Sequence, residues 1–105
     1  LNKDSEKIIF IQTLFNIKKF EKIFVLYLEE TEKQKFENLI ELLKEKYNNP
    51  EQLSLITLKR LKQVSNNDAL FLAASLKSLK ITQIDKLRNR LGAFDLIVDG
   101  IILND

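Results

Sequence analysis

The stretch from Thr82 to Leu103 reads TQIDKLRNRLG, then AF, then DLIV-DG-IIL. Ile84, Leu87 and Leu91 recur at spacings of three and four, the period of one helix face. Thr82 with Asp85 has the spacing of an N-terminal capping pair, and Gly92 stands where a helix closes on a left-handed residue. Leu96-Ile97-Val98 and Ile101-Ile102-Leu103 are strand-forming runs. The Asp99-Gly100 dipeptide between them takes the positive φ values of a tight hairpin turn at little steric cost. The stretch therefore predicts a helix followed by a β-hairpin, the order of a recognition helix and its wing.

Working outward, the preceding segments read as helices. About Asn66 to Ser78, the run Ala69, Leu70, Phe71, Leu72, Ala73, Leu76 and Leu79 predicts a fifth helix, restarted by a Ser65–Asp68 capping box. About Pro50 to Val64, Leu53, Ile56, Leu58, Leu61 and Val64 predict a fourth, opened by Pro50 at its first position. Phe36, Leu39, Ile40, Leu43 and Tyr47 form the stripe of a third, with Thr31 and Gln34 at capping-box spacing. Phe20, Ile23, Phe24, Tyr27 and Leu28 give the stripe of a second. The front run Ile8 to Phe15 fits a first helix or a short strand, and periodicity does not separate the two. The fold class expected is mainly α: about six helices in one bundle, a β-hairpin at Leu96 to Leu103, and a winged-helix-like second half. Residues 1–48 form the helical front and residues 49–105 the winged-helix-like half of one domain.

A chain of 105 residues buries roughly two thirds of its unfolded surface, enough for a core without staples. It has no cysteine and no histidine. That removes disulfides, thiolate zinc sites, the commonest general base and the commonest metal ligand. No metal, no cofactor and no catalysis are expected. Ser54, Ser65, Ser75 and Ser78 have no histidine partner and no glycine elbow, and two glycines cannot build a phosphate cradle. The carboxylate pairs Glu29–Glu30 and Glu37–Glu41 lie among lysines, where ion pairing is the ordinary outcome. No apolar run approaches the ~18 residues of a membrane span, and a cytoplasmic setting without membrane contact is expected. The chain starts at Leu1 and contains no Met, which suggests a piece of a longer protein.

The net charge of +2 is unevenly spread. Residues 1–55 carry nine Lys/Arg against ten Asp/Glu, residues 56–91 eight against two, and residues 92–105 none against three. A basic middle block suggests an anionic partner.

Pro50, Ser54, Thr57, Leu58, Leu61, Val64, Ser65, Asp68 and Ala69 read as NP…S..TL..L..VS..DA. That pattern resembles the helical segment of the abortive-infection alpha family and its prophage-associated relatives, with weaker echoes from Phe36 to Leu43. The family's pattern has a tryptophan-containing helix before the proline, and this chain has no tryptophan. The resemblance implies a bacterial or phage setting and a defence or regulatory role. It carries over no catalytic residue.

Two kinds of contact surface are expected. The first is a protein interface, with a partner or a second copy, through the aromatic front end: Phe10, Phe15, Phe20 and Phe24. The second is a nucleic-acid surface on the 82–91 helix. There Gln83, Lys86, Asn89 and Arg90 share a face, Arg88 lies beside it and Lys80 extends it. The leading reading is a non-catalytic binding module acting through protein–protein contacts. The alternative is a winged-helix-like nucleic-acid-binding domain.

Overall fold

The computed structural model describes residues 20–46, 50–75, 77 and 79–103. It corrects the expected class: the chain is α/β, built on a four-stranded parallel sheet, not a helical bundle. The deciding segment is Ile23–Tyr27, IFVLY, in which every residue is buried. A helix covered on one side buries every third or fourth residue. A strand covered on both faces buries them all, and its sequence is a continuous apolar run. Ala69–Ala74, ALFLAA, is buried throughout for the same reason. Both segments form strands where helices are expected from the sequence.

Among the described residues four strands follow in chain order: β1 (Ile23–Tyr27), β2 (Leu53–Ile56), β3 (Ala69–Ala74) and β4 (Gly100–Leu103). They lie in the order β2-β1-β3-β4. Ile23 stands beside both Leu53 and Ala69, and Phe71 beside Gly100. Two α-helices are seen among the described residues, α1 (Lys33–Lys46) and α2 (Ile81–Phe94). Short 3-10 helices occupy Glu30–Glu32, Pro50–Gln52 and Leu58–Gln63.

The sheet has a core on each face. On one, α1 lays Phe36, Leu39, Ile40 and Leu43 against Ile23, Val25, Tyr27, Phe71, Ala73 and Ile102. On the other, Leu61 of the Leu58–Gln63 helix and Leu87 of α2 cover Phe24, Leu26, Leu70, Leu72 and Ala74. Alternate residues of β1 and β3 thus point to opposite cores, as the pleat requires.

The capping signals also resolve differently. Ser65 donates its backbone N–H (2.9 Å) and its hydroxyl (3.1 Å) to Asp68 Oδ2. The pair is real, but it closes a turn that feeds β3 rather than a helix. Residues 50–64 form a 3-10 turn, β2 and a second 3-10 helix, so the helix pair expected at 50–69 is replaced. Thr31 lies inside the Glu30–Glu32 turn. Helix α2 starts at Ile81, ahead of Thr82, and runs through Gly92 to Phe94. The left-handed residue is Asp95, at φ 56° and ψ 44°. The Leu96 N–H reaches Leu91 O at 2.9 Å and the Asp95 N–H reaches Gly92 O at 3.3 Å, the paired bonds of a Schellman stop.

There is no hairpin wing. Residues 96–99 are irregular and β4 pairs in parallel with β3. Asp99 is used otherwise than in a turn. Its N–H donates to Leu70 O at 2.7 Å, and its Oδ2 accepts the Leu70 N–H at 2.9 Å. Without a hairpin, and with β2, β3 and short 3-10 helices in place of the helices expected across residues 50–75, the winged-helix-like half at 49–105 has no structural basis.

Candidate functional site

In an open parallel sheet, ligands gather at the carboxyl ends of the strands where the strand order reverses. Here that point lies between β1 and β3. Leu28, Glu29 and Glu32 line it from the β1 side, and Ser75, Leu79 and Gln83 from the β3 side. The cavity between them measures about 10 Å³, about the space needed for one water. Among the described residues the usual crevice is closed by its own side chains.

A larger groove of about 600 Å³ opens beside it, at the carboxyl ends of β1 and β2. Tyr27 lies among Glu30, Glu37, Thr57 and Arg60 there. Burial, the charges of Glu30 and Glu37 and a hydrogen bond to Glu30 raise the Tyr27 phenol above its ordinary value, against a smaller opposing effect of Arg60. Tyr27 therefore stays a neutral hydrogen-bonding group at physiological pH, not a base. Glu37 pairs with Lys33 at 4.0 Å, and Glu32 with Lys35 at 3.6 Å. These carboxylates sit on an ion-paired surface, which is an ordinary helix exterior. Among the described residues no group of three or more side chains is placed to hold a metal ion. No helix there is long and apolar enough to cross a membrane.

A third hollow, about 770 Å³, lies at the amino ends of the strands between Phe20, Asn66, Asp68, Asp95 and Asp99. Its carboxylates are partly committed to the fold, Asp68 to Ser65 and Asp99 to Leu70.

The aromatic candidates separate. Phe10 and Phe15 lie outside the described residues. Phe20 is half-buried against the α1-side core, and Phe24 is buried in the core beneath α2. Phe24 is thus interior, not a contact surface. The open apolar surface is elsewhere: at Ile81 and Phe94, the two ends of α2, and at β4. Ile102 is 3% exposed, whereas Ile101 is 58% and Leu103 45% exposed. Ile97, just before the strand, is 72% exposed. The register pairs Ile101 with Leu72 and Leu103 with Ala74, which places both on the α2 side of the sheet. The stretch read as a wing is thus an edge strand, and its exposed apolar residues were not among the sequence candidates. The signal that could have found them is the absence of any charge between Gly100 and Leu103.

The basic candidates all belong to one layer. Lys80, Lys86, Arg88, Asn89 and Arg90 are exposed on or just before α2. Gln83 is half-buried, and its Oε1 accepts the Lys80 N–H at 3.4 Å. It serves as the reach-back cap of the helix. The Leu58–Gln63 helix packs beside α2 on the same face and adds Lys59, Arg60 and Lys62, all exposed.

No family model, no curated protein and no solved structure matches this chain.

Proposed function

We propose that the chain is a non-catalytic binding module that accepts an added β-strand along β4, and that its partner there is a second copy of itself. The observation that carries this reading is the chemistry of the β4 edge. An edge strand offers a row of backbone donors and acceptors, and stable proteins guard it with charges, proline or a bulge. Gly100–Leu103 has no charge and no proline, and Ile101 and Leu103 stand exposed beside an edge that no strand among the described residues pairs. A group that satisfies both the backbone row and the apolar side chains is another uncharged strand. A second β4 is such a strand. Antiparallel pairing about a two-fold axis sets it against its own complement, without like charges opposed along residues 100–103.

The non-catalytic part is supported by the missing histidine and cysteine and by the closed crevice between β1 and β3. A regulatory or phage-defence setting rests on the resemblance of residues 50–69 alone.

Sedimentation equilibrium of the full chain across a concentration series tests the pairing. A monomer–dimer equilibrium is expected, and an Ile101→Lys, Leu103→Lys double variant should sediment as a monomer with an unchanged circular dichroism spectrum. If the double variant unfolds, Ile101→Glu alone asks the same question at the more exposed position. A wild-type chain that stays monomeric throughout, or a dimer indifferent to these changes, overturns the reading.

A further inference from the structure

We infer that the layer formed by the Leu58–Gln63 helix and α2 binds the phosphate backbone of nucleic acid and does not read bases. This does not depend on pairing along β4. In sequence, residues 56–91 are merely a basic block. Folding makes them a surface. All eight lysines and arginines of the block are exposed: Lys59, Arg60, Lys62, Lys77, Lys80, Lys86, Arg88 and Arg90. Of its two carboxylates, Asp68 is buried and held by Ser65, so Asp85 is the one left in solvent. None of the eight cations is in an ion pair among the described residues. The pairs that are seen lie at and just before α1. Arg60 opens onto the groove that Tyr27 and α1 line, while Lys59 and Lys62 of the 3-10 helix and Lys80, Lys86, Arg88 and Arg90 at α2 are the cations left to the layer.

The side chains left outward select the mode of contact. Gln83, a candidate for reading adenine, is committed to capping α2. What remains outward is suited to phosphates. Lys86 and Arg90 lie one turn apart, roughly 6 Å along the axis. That is close to two phosphate steps along one strand, at about 3.4 Å of rise per step. A lipid headgroup offers the same phosphate chemistry, but a membrane-surface helix needs an apolar outward face. Along the middle of α2, Leu87 and Leu91 pack inward and Asp85, Lys86, Arg88, Asn89 and Arg90 are exposed; the exposed apolar residues Ile81 and Phe94 stand at its two ends and form no continuous stripe between them.

Fluorescence anisotropy with labelled single-stranded and duplex DNA of two unrelated sequences, over a salt series, tests the inference. Binding should weaken steeply with salt, since each neutralised phosphate releases condensed counterions. The two sequences should bind alike. A Lys86→Ala, Arg90→Ala double variant should stay folded, bind more weakly, and show a log–log salt slope shallower by about two. Lys59→Ala with Lys62→Ala should weaken binding too, because the inference makes the 3-10 helix part of the surface. No binding at low salt overturns it, as does an unchanged slope in the Lys86/Arg90 variant. A preference of more than about tenfold between sequences, the scale of one base contact, overturns the backbone-only mode. Vesicles of phosphatidylserine bound in preference to either DNA would assign the layer to membranes and overturn it as well.

Discussion

Strands β3 and β4 lie side by side, parallel and in register, yet they are different kinds of strand. In β3 every residue is buried. In β4 only Ile102 is. The difference is one of neighbours. β3 has β1 on one side and β4 on the other, with α1 above it and α2 below. β4 has β3 on one side and, among the described residues, no strand on the other. The same kind of apolar sequence therefore supplies cohesion in one strand and a contact surface in the other. Position in the sheet decides which.

That contrast is broken first at β3. Phe71 is among the largest fully buried side chains and belongs to the core under α1. Phe71→Ala should lower unfolding free energy by about 3–5 kcal/mol, the transfer loss plus the cavity it leaves. A urea melt that moved by less than about 1 kcal/mol would mean that this position is not core.

The seam between the strands comes next. β4 begins at Gly100, opposite Phe71, one residue too late for its ladder to cover the Leu70 amide. Asp99 Oδ2 fills that place at 2.9 Å. Asp99→Ala should cost about 1–3 kcal/mol, since it leaves a part-buried donor without its acceptor. Asp99→Asn, which keeps a carbonyl oxygen, should recover most of it. Equal losses in the two variants would show that charge, not the hydrogen bond, is what Asp99 supplies.

The sequence disclosed the elements that satisfy themselves locally and hid those that depend on distant partners. The α1 stripe of Phe36, Leu39, Ile40 and Leu43 is read off its spacing, and those four residues are buried together. Of the stripe Ile84, Leu87 and Leu91 on α2, Leu87 is buried and Leu91 packs beside it on the core, while Ile84 is half-buried outside that cluster. β1 and β3 carry no such mark. Both of their faces are buried, so the alternation that betrays a strand is missing and an apolar run passes for a helix. Their pairing joins Ile23 to Ala69, a contact no local window contains. Turn chemistry misled for a related reason. Asp99-Gly100 is a strong hairpin signal in isolation, but the carboxylate is claimed by Leu70 from another strand. Gly92 invites a helix stop, yet α2 runs on and ends at Asp95, a residue type that tolerates the left-handed conformation. Of the candidate contacts, the basic residues were legible because exposure suits them wherever the chain goes. The apolar edge was not legible, because whether Ile101 is core or surface depends on which strand, if any, lies beyond β4.

The smallest expected effect is the sharpest test of that last point. Ile101 and Ile102 are adjacent and chemically identical, and the pleat sends them to opposite faces. Ile102 is 3% exposed against the α1-side core, while Ile101 is 58% exposed on the other side. Ile102→Ala should destabilise the chain by about 2–5 kcal/mol, as burial of an isoleucine implies. Ile101→Ala, measured at concentrations low enough to keep the chain monomeric, should stay within about 0.5 kcal/mol of wild type, as surface substitutions do. The assignment is sensitive because a one-residue slip in the β3–β4 register exchanges the two faces and reverses the order of the two losses. Comparable losses at both positions in the monomer would mean that Ile101 is already covered, and would remove the open edge on which strand addition depends. If the two values separate as expected, repeating the Ile101→Ala melt at high concentration adds a second reading. A chain that pairs along β4 should then show a loss that grows with protein concentration, because the wild type alone gains stability by mass action.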